Sequence, residues 1–268
     1  MNELVIANIQ ISSSLDYQSN LKKIKKYLSQ AKEAGAQVAF LPECFYSISN
    51  GRMPSPYLVE WDNEHFDNIR QLAIDSGLFL VGGSVAFKSN TAIYNKAINL
   101  DPKGCVIGSY DKCHLFSCDI TTVDEQGNEI HKKVNEADIY TAGNDPLIID
   151  ILGWKIGIAI CFDLRYPNFL QYYYDNKVDL ITFASAFTVP TGKAHWHTLL
   201  RARSIEGQCY VVASAQSGEN NPGIHTYGHS LVINPWGEIL SDQKNEEGVS
   251  IVRLKKEQIL EARSRVIL

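Results

Sequence analysis

Three residues in this chain carry reactive side chains at points where a strand should end. Cys161 closes an apolar run, Lys155-Ile-Gly-Ile-Ala-Ile-Cys161, and leads at once into Phe162-Asp163-Leu164-Arg165-Tyr166-Pro167, a sharp turn into a helix. The run is short, β-branched and bounded by Gly153 and Pro167, which favours a buried central strand over a helix. Ligands in open α/β sheets bind beyond the carboxyl ends of such strands, so a thiol there is placed to attack. Most free cysteines are instead buried packing residues, and the strand alone does not decide between the two. Glu43 follows Val38-Ala-Phe-Leu-Pro42, where the fixed φ of proline sets the direction in which the carboxylate leaves the sheet, and it is a candidate general base. Lys112 ends Val106-Ile-Gly-Ser-Tyr-Asp111, a long cation where strands usually give way to turn residues. Taken singly, Glu43 and Lys112 are more simply read as solvated surface charges.

Such side chains need a scaffold that holds strand ends together. The hydrophobic pattern predicts a strand over residues 4–11, a helix over 20–34 with Leu21, Ile24, Leu28 and Ala31 on one face, and a second strand over 37–41, a βαβ opening. A helix over 63–75 follows, then strands over 78–87, 91–100 and 105–110, the last two antiparallel around the Asp101-Pro102-Lys103-Gly104 turn. The polar stretch 119–144, rich in acidic residues and poor in apolar periodicity, reads as a loop over one edge of the sheet. The second half repeats the alternation: strands over 147–151 and up to Cys161, a helix from Pro167, a strand over 178–184, a helix over 194–206, then strands over 209–215, 230–233 and 248–254. The reading is one α/β domain over residues 1–268 with two sheets and helices outside, and no repeat period marks a solenoid.

Composition narrows the class. Hydrophobic residues make up 45% of the chain and charged residues 21%, enough apolar material for a multilayer core. The net charge of −5, without a basic tract, does not imply nucleic acid or an anionic membrane as partner. Lys22-Lys23-Ile24-Lys25-Lys26 is the solvated face of an amphipathic helix. The start lacks the features of a signal peptide and no run reaches the ~18 apolar residues of a membrane span, so a cytoplasmic location is expected. The six cysteines, at 44, 105, 113, 118, 161 and 209, are then expected as reduced thiols. Cys113-His114-Leu-Phe-Ser-Cys118 has the ligand types of a zinc site, but no second ligand pair answers it and His195-Trp196-His197 is poorly spaced for one helical face, so no metal is expected.

Taken together, the strand ends are more specific. Phe40-Leu-Pro-Glu43, Tyr110-Asp-Lys112 with His114-Leu115-Phe116, and Ile160-Cys161-Phe162-Asp163-Leu164-Arg165-Tyr166-Pro167 occur in an order and spacing that resemble the nitrilase, or carbon–nitrogen hydrolase, superfamily, and the likeness runs from the first strand to Asn234-Pro235-Trp236-Gly237. The resemblance implies a Glu43–Lys112–Cys161 triad, a four-layer α-β-β-α sandwich, no cofactor, and assembly into homodimers or larger oligomers. It also implies a second glutamate about seven residues before a glycine, which is Glu136 before Gly143; Asp124, Glu125 and Glu129 compete for that role because the preceding segment is long.

The chemistry fits the residue types. A thiol with an ordinary pKa near 8.5 is mostly protonated at neutral pH, so a neighbouring ammonium and a carboxylate base are expected to favour its attacking form. Attack on an amide carbonyl makes an oxyanion for which Lys112 and the Phe162 backbone N–H are the donors, with Glu43 shuttling the proton and Glu136 orienting the groups. His114 and His195 offer a rival Cys–His arrangement. The block Ser185-Ala-Phe187-Thr188, Thr191-Gly192-Lys193-Ala194-His195-Trp196, Leu200-Arg-Ala-Arg203 and Gln208-Cys209-Tyr210-Val211 resembles the branch that contains deaminated glutathione amidase and omega-amidase, leaning to the former. That resemblance implies hydrolysis of deaminated glutathione to 2-oxoglutarate and cysteinylglycine, a small-molecule substrate whose carboxylates call for a cation near the thiol. Arg165, four residues after Cys161, can serve, or it can pair internally with Asp163 or Glu206. Trp236 reads as a turn anchor. Omega-amidase, carbamoyl-amidase or nitrilase activity, and a non-catalytic binding role on the same scaffold, are the alternatives.

Overall fold

The computed structural model of the chain describes residues 2–51, 53–123 and 129–267, and for 120–123 and 129–133 the backbone only. The chain opens with β1 (Glu3–Gln10), α1 (Tyr17–Glu33), β2 (Val38–Phe40), α2 (Glu64–Ser76) and β3 (Phe79–Val81). Three antiparallel strands follow, β4 (Ser84–Ser89), β5 (Ala92–Leu100) and β6 (Val106–Asp111), then the antiparallel pair β7 (Ser117–Val123) and β8 (Glu129–Asn135), and β9 (Leu147–Ile151). The second half runs β10 (Trp154–Ile160), α3 (Pro167–Asp175), β11 (Leu180–Ser185), a single turn α4 (Val189–Thr191), and, through a π turn at Gly192–Trp196, α5 (His197–Gly207). It ends with β12 (Tyr210–Ala215), β13 (Ser217–Asn221), β14 (Ile224–Tyr227), β15 (Leu231–Ile233), β16 (Ile239–Asp242), β17 (Gly248–Lys255) and α6 (Lys256–Arg265).

Two sheets carry the fold. One has the order β17-β1-β2-β3-β5-β4 with β6 on β5, the other β16-β15-β12-β11-β10-β9. Alternation along each strand explains how they stack. Leu4 and Ile6 of β1 and Val38 and Phe40 of β2 join one core with Ile156, Ile158 and Phe183 of the second sheet, whereas Ala7, Ile9 and Ala39 turn the other way onto Ile24, Leu28 and Leu72 of α1 and α2. Asn8 ties the facing sheets directly: its amide donates to the carbonyls of Ala213 and Leu231, at 3.2 Å each, and Ser214 Oγ donates to Asn8 Oδ1 at 2.7 Å. On the far side, Leu170, Tyr173 and Leu200 of α3 and α5 cover the second sheet. The result is the four-layer α-β-β-α arrangement the resemblance implied. Each Leu, Ile or Phe moved from water into these cores is worth roughly 1.5–3 kcal/mol.

Local sequence fixes the element ends. Asp16 caps α1 by accepting from Gln18 N at 3.0 Å, Asn63 caps α2 through Phe66 N at 3.1 Å, and Pro167 starts α3 at the position where a missing N–H costs nothing. In β10 the residue facing α3 is Gly157, where a Cβ would stand 2.8 Å from the Tyr173 ring, so that strand and helix approach closely behind Cys161.

Two expectations fail. Residues 78–87 form two strands, not one, because the chain breaks at Gly82 (φ +79) and Gly83. The stretch 119–144 is not simply a loop: its described residues 119–123 and 129–135 belong to the antiparallel pair β7 and β8, with Ser117 opposite Asn135 and Val123 opposite Glu129, followed by a 3-10 turn at Glu136–Asp138. Its Ile, Thr and Val content drives extended backbone even though charged residues interrupt the apolar pattern. The helix α6 and the strands β13, β14 and β16 also lie outside the predicted elements.

Candidate active site

Cys161 follows the last residue of β10 with φ +46, a left-handed conformation that costs a non-glycine residue roughly 1–2 kcal/mol. The strain turns the chain abruptly into the 3-10 turn Cys161–Arg165 and presents the sulfur beyond the sheet edge. Asp163 holds that turn. Its carboxylate is fully buried and accepts from Ile160 N at 2.9 Å, Tyr110 Oη at 2.8 Å and His114 N at 3.0 Å, with His114 Nδ1 at 2.7 Å.

Glu43 leaves the end of β2 after Leu41 and Pro42. The next residue, Cys44, is also left-handed (φ +53), and Ser84 fixes it: Cys44 N donates to Ser84 Oγ at 3.0 Å and Phe45 N to Ser84 O at 3.1 Å. The chain can pass this close to β4 because Gly83 lacks a Cβ, which would meet Leu41 Cβ at 2.6 Å and Phe45 at 2.7 Å. Lys112 continues β6 and pairs with β5 by donating its backbone N–H to Asn95 O at 2.9 Å. Its Nζ donates to Glu43 Oε1 and to Glu136 Oε2, both at 2.8 Å, and Lys112 is 1% exposed. Glu136 sits where the β7–β8 hairpin closes: its N–H donates to Phe116 O at 2.8 Å, and Phe116 N returns a bond to Glu136 Oε2 at 2.7 Å.

Glu43, Lys112, Glu136 and Cys161 line one pocket that encloses about 790 Å3 when the solvent in its open mouth is counted. Phe116, Val134, Ile139, Tyr140, Phe162 and Phe187 give it apolar walls. Of the rival carboxylates, Asp124 and Glu125 lie outside the described residues, as does the Glu129 side chain. Arg165 also lines the pocket and does not make the internal pairs considered for it. Asp163 is engaged by Tyr110, His114 and Ile160, and Glu206 pairs with Arg203 at 2.8 Å. Its guanidinium lies 5.4 Å from the Phe187 ring centroid and 5.8 Å from that of Phe162, with Nη2 3.3 Å from His195 Nδ1. Neither His114 nor His195 lines the pocket, so the Cys–His arrangement is not assembled.

The electrostatics correct one expectation. Burial raises the Cys161 thiol well above its ordinary pKa, Glu43 adds to the rise, and Lys112 with the Ala186 backbone N–H opposes it. Lys112 favours the thiolate, but burial of the sulfur, with Glu43 adding to it, outweighs the ammonium. Burial works against the Lys112 charge, but Glu136 and Glu43 outweigh it and hold Lys112 well above the usual lysine value. Burial raises Glu136, with Glu43 adding and Lys112 opposing. Burial thus favours the protonated thiol before reaction, and its proton must leave as the sulfur attacks.

All six cysteines are free. Among the described residues, His197, His229 and Asp242 have ligand atoms within 4.8 Å of one another, close enough to hold a metal ion. The cluster lies outside the Cys161 pocket, and Asp242 is already engaged by Lys244 Nζ at 2.7 Å and His229 Nδ1 at 2.9 Å. Asn95 and Tyr140 were not legible as site residues; nothing in their neighbourhood is unusual for strand and turn positions.

The chain matches the carbon–nitrogen hydrolase family model over residues 5–264. It is 34% identical over 243 residues to the deaminated glutathione amidase of Dictyostelium discoideum, covering 87% of this chain and 81% of that protein. To omega-amidase NIT2 of Xenopus tropicalis it is 28% identical over 247 residues, covering 92% and 87%. The nitrilase and fragile histidine triad fusion protein of Caenorhabditis elegans is 34% identical over 241 residues, 88% of this chain, which spans about half (53%) of that longer protein. The crystal structure of that fusion protein superposes with a TM-score of 0.87 at 30% identity, covering 99% of this chain and 64% of that one.

Proposed function

The chain belongs to the carbon–nitrogen hydrolase family, and from that premise we propose that it is an amidase cleaving deaminated glutathione, through a Cys161 thioester, to 2-oxoglutarate and cysteinylglycine. The observation that carries the reading is Lys112 Nζ bridging Glu43 and Glu136, at 2.8 Å each, in the pocket that holds the strained Cys161. An ammonium has three donors and two are spent on these carboxylates, which leaves one for an oxyanion.

The steps follow from this geometry. As Cys161 Sγ bonds to the amide carbon, Glu43 takes the thiol proton, and the carbonyl oxygen gains negative charge stabilised by the free Lys112 N–H and the Phe162 backbone N–H. Losing one such donor typically costs about 3–4 kcal/mol of transition-state stabilisation. Glu43 then protonates the departing amine as the C–N bond breaks, leaving a thioester. Water, deprotonated by Glu43, cleaves the thioester and restores the thiol. Glu136 keeps Lys112 oriented throughout.

Substrate choice rests on Arg165, a cation at the pocket wall suited to a carboxylate of a 2-oxo acid, and on the higher identity to a deaminated glutathione amidase (34%) than to an omega-amidase (28%). The omega-amidase reading, release of ammonia from the terminal amide of a 2-oxo acid, shares the same geometry and is the second reading. A homo-oligomeric state, and a cytoplasmic setting that keeps the six free thiols reduced, are proposed with it. Among the described residues no helix is long and apolar enough to cross a membrane. A panel of deaminated glutathione, 2-oxo-acid amides, simple amides, carbamoyl amines and nitriles, assayed for cysteinylglycine or ammonia release, tests the proposal. Preference for deaminated glutathione supports it; nitrile turnover without amide turnover, or no hydrolysis of any compound, sinks it.

A further inference from the structure

Among the described residues, both donors to the Glu43 side chain converge on one oxygen. Lys112 Nζ and Asn95 Nδ2 each reach Glu43 Oε1 at 2.8 Å, and neither is on Oε2. The convergence comes from sheet register. β5 and β6 run antiparallel with Lys96 opposite Asp111, and Lys112 N donates to Asn95 O at 2.9 Å, so Asn95 and Lys112 are cross-strand neighbours whose side chains rise on the same face. Asn95 is 1% exposed. While its Nδ2 serves Glu43, its buried Oδ1 finds no partner among the described residues. The opposite amide orientation would set Oδ1 against the carboxylate. Packing alone would be served by an apolar side chain here; an amide that leaves its own carbonyl unpaired serves its other end.

We infer that Asn95 is a positioning residue for the proposed reaction: its amide locks the rotation of the Glu43 carboxylate through Oε1, so that Oε2 is the oxygen that receives the Cys161 proton and passes it on. The inference rests on the amidase reading and assigns no contact between Asn95 and substrate. Without Asn95 the carboxylate pivots about its single bond to Lys112, and the base spends less time aligned with the sulfur. Binding is unaffected, because Asn95 does not line the pocket.

The test compares Asn95→Ala and Asn95→Asp with the unaltered protein. Expected for Asn95→Ala is a loss of about 10–100-fold in kcat with KM within about threefold, and an unchanged or higher melting temperature, since the unpaired carbonyl goes too. Asn95→Asp keeps the shape but replaces the donor with a second carboxyl facing Glu43. Its activity relative to the unaltered protein should rise as pH falls, because the protonated carboxyl can again donate to Glu43. The profile is read against the other groups around Glu43, namely Lys112, Glu136, Cys44, Cys161 and Tyr140. Mass-mapped alkylation of Cys161 by iodoacetamide supplies a readout free of substrate, and it should slow in both variants. If both variants keep kcat and alkylation rates within twofold of the unaltered protein, the inference is wrong. It is equally wrong if activity is lost only in step with folded protein in Asn95→Ala while Asn95→Asp is fully active. An unaltered protein inert to every amide would remove the amidase reading instead, and the alkylation rates would still judge Asn95.

Discussion

Asp163 Oδ1 and His114 Nδ1 meet at 2.7 Å, which joins the turn carrying Cys161 to the segment carrying Lys112. The carboxylate stands two residues after the nucleophile and the imidazole two residues after the cation, so one buried group sets the spacing of both. His114 is held in turn by stacking on Tyr166, ring centroids 3.6 Å apart. Asp163→Asn removes an acceptor and points N–H groups at existing donors. The expected loss is about 1–3 kcal/mol for each donor left unpaired, lowering the melting temperature by roughly 2–4 °C per kcal/mol. Turnover should fall more than about tenfold with little change in KM. Thermal melts and steady-state kinetics measure both, and a variant with normal kcat would show that the link does not set the site.

Cys161→Ala should abolish turnover, by more than about a thousandfold, and fold normally, since only a sulfur at the pocket edge is removed. Backbone strain supplies a second comparison. At φ +46 alanine is as strained as cysteine but glycine is not, so Cys161→Gly should be more stable than Cys161→Ala by about 1 kcal/mol. Denaturant midpoints order the two. An intact thioester detected by mass spectrometry in the alanine variant would remove Cys161 from the mechanism.

What the sequence revealed and hid follows from how local each cause is. Glu43, Lys112 and Cys161 stand at strand ends, and strands announce themselves through runs such as Lys155–Cys161. The β7–β8 hairpin was hidden because Asp119, Lys132 and Lys133 interrupt its apolar positions, although Ile120, Thr121, Thr122 and Val123 are strand formers. α6 buries Ile259 and Ala262 and little else, too weak a stripe to stand out. The raised Cys161 thiol is not legible from the charges alone, because its largest cause is burial, which depends on the assembled fold. Asn95 depends on a register between β5 and β6 that no local pattern encodes.

Gly143 should be intolerant of any side chain. Its N–H donates to Lys112 O at 2.9 Å, and a Cβ there would lie 2.2 Å from Asp111 O, a backbone atom that cannot swing aside. In Gly143→Ala the segment after Glu136 must move off β6, pulling Glu136 from Lys112. The expected result is a fall in kcat of about tenfold or more and a lower melting temperature. Unchanged kinetics in this variant would mean that the Glu136–Lys112 contact does not contribute to turnover.

Alkaline solution should destabilise the fold. Burial pushes the Cys209 thiol up to about 12, opposed by Arg263 and reinforced by Asp179. Burial likewise raises Cys161, Tyr140 and Tyr173. A raised folded-state pKa means that the native protein keeps a proton the unfolded chain has released. Stability is therefore full below about pH 9 and falls as pH climbs toward the folded value, by about 1.4 kcal/mol per pH unit for Cys209 alone. Urea midpoints at pH 8 and pH 10.5 should show the fall, and Cys209→Ala should reduce its slope. Equal slopes in the two proteins would exclude Cys209 as a contributor.

Arg165 should decide which amides are accepted while leaving bond cleavage alone. Its guanidinium lies beside the Phe162 and Phe187 rings at the wall of the pocket, and Asp163 and Glu206 are engaged elsewhere. A charged hydrogen bond to substrate is worth about 1.5–3 kcal/mol, so Arg165→Ala should raise KM for a carboxylate-bearing 2-oxo-acid amide by about 10–100-fold. A short neutral amide makes no such bond, and its kcat/KM should stay within about threefold. Arg165→Lys keeps the charge but not the planar fork, and should fall between the two. Steady-state kinetics on the pair of substrates separates the possibilities. Equal losses on both would assign Arg165 to holding the turn after Cys161, because a binding group for the carboxylate cannot affect a substrate that has none.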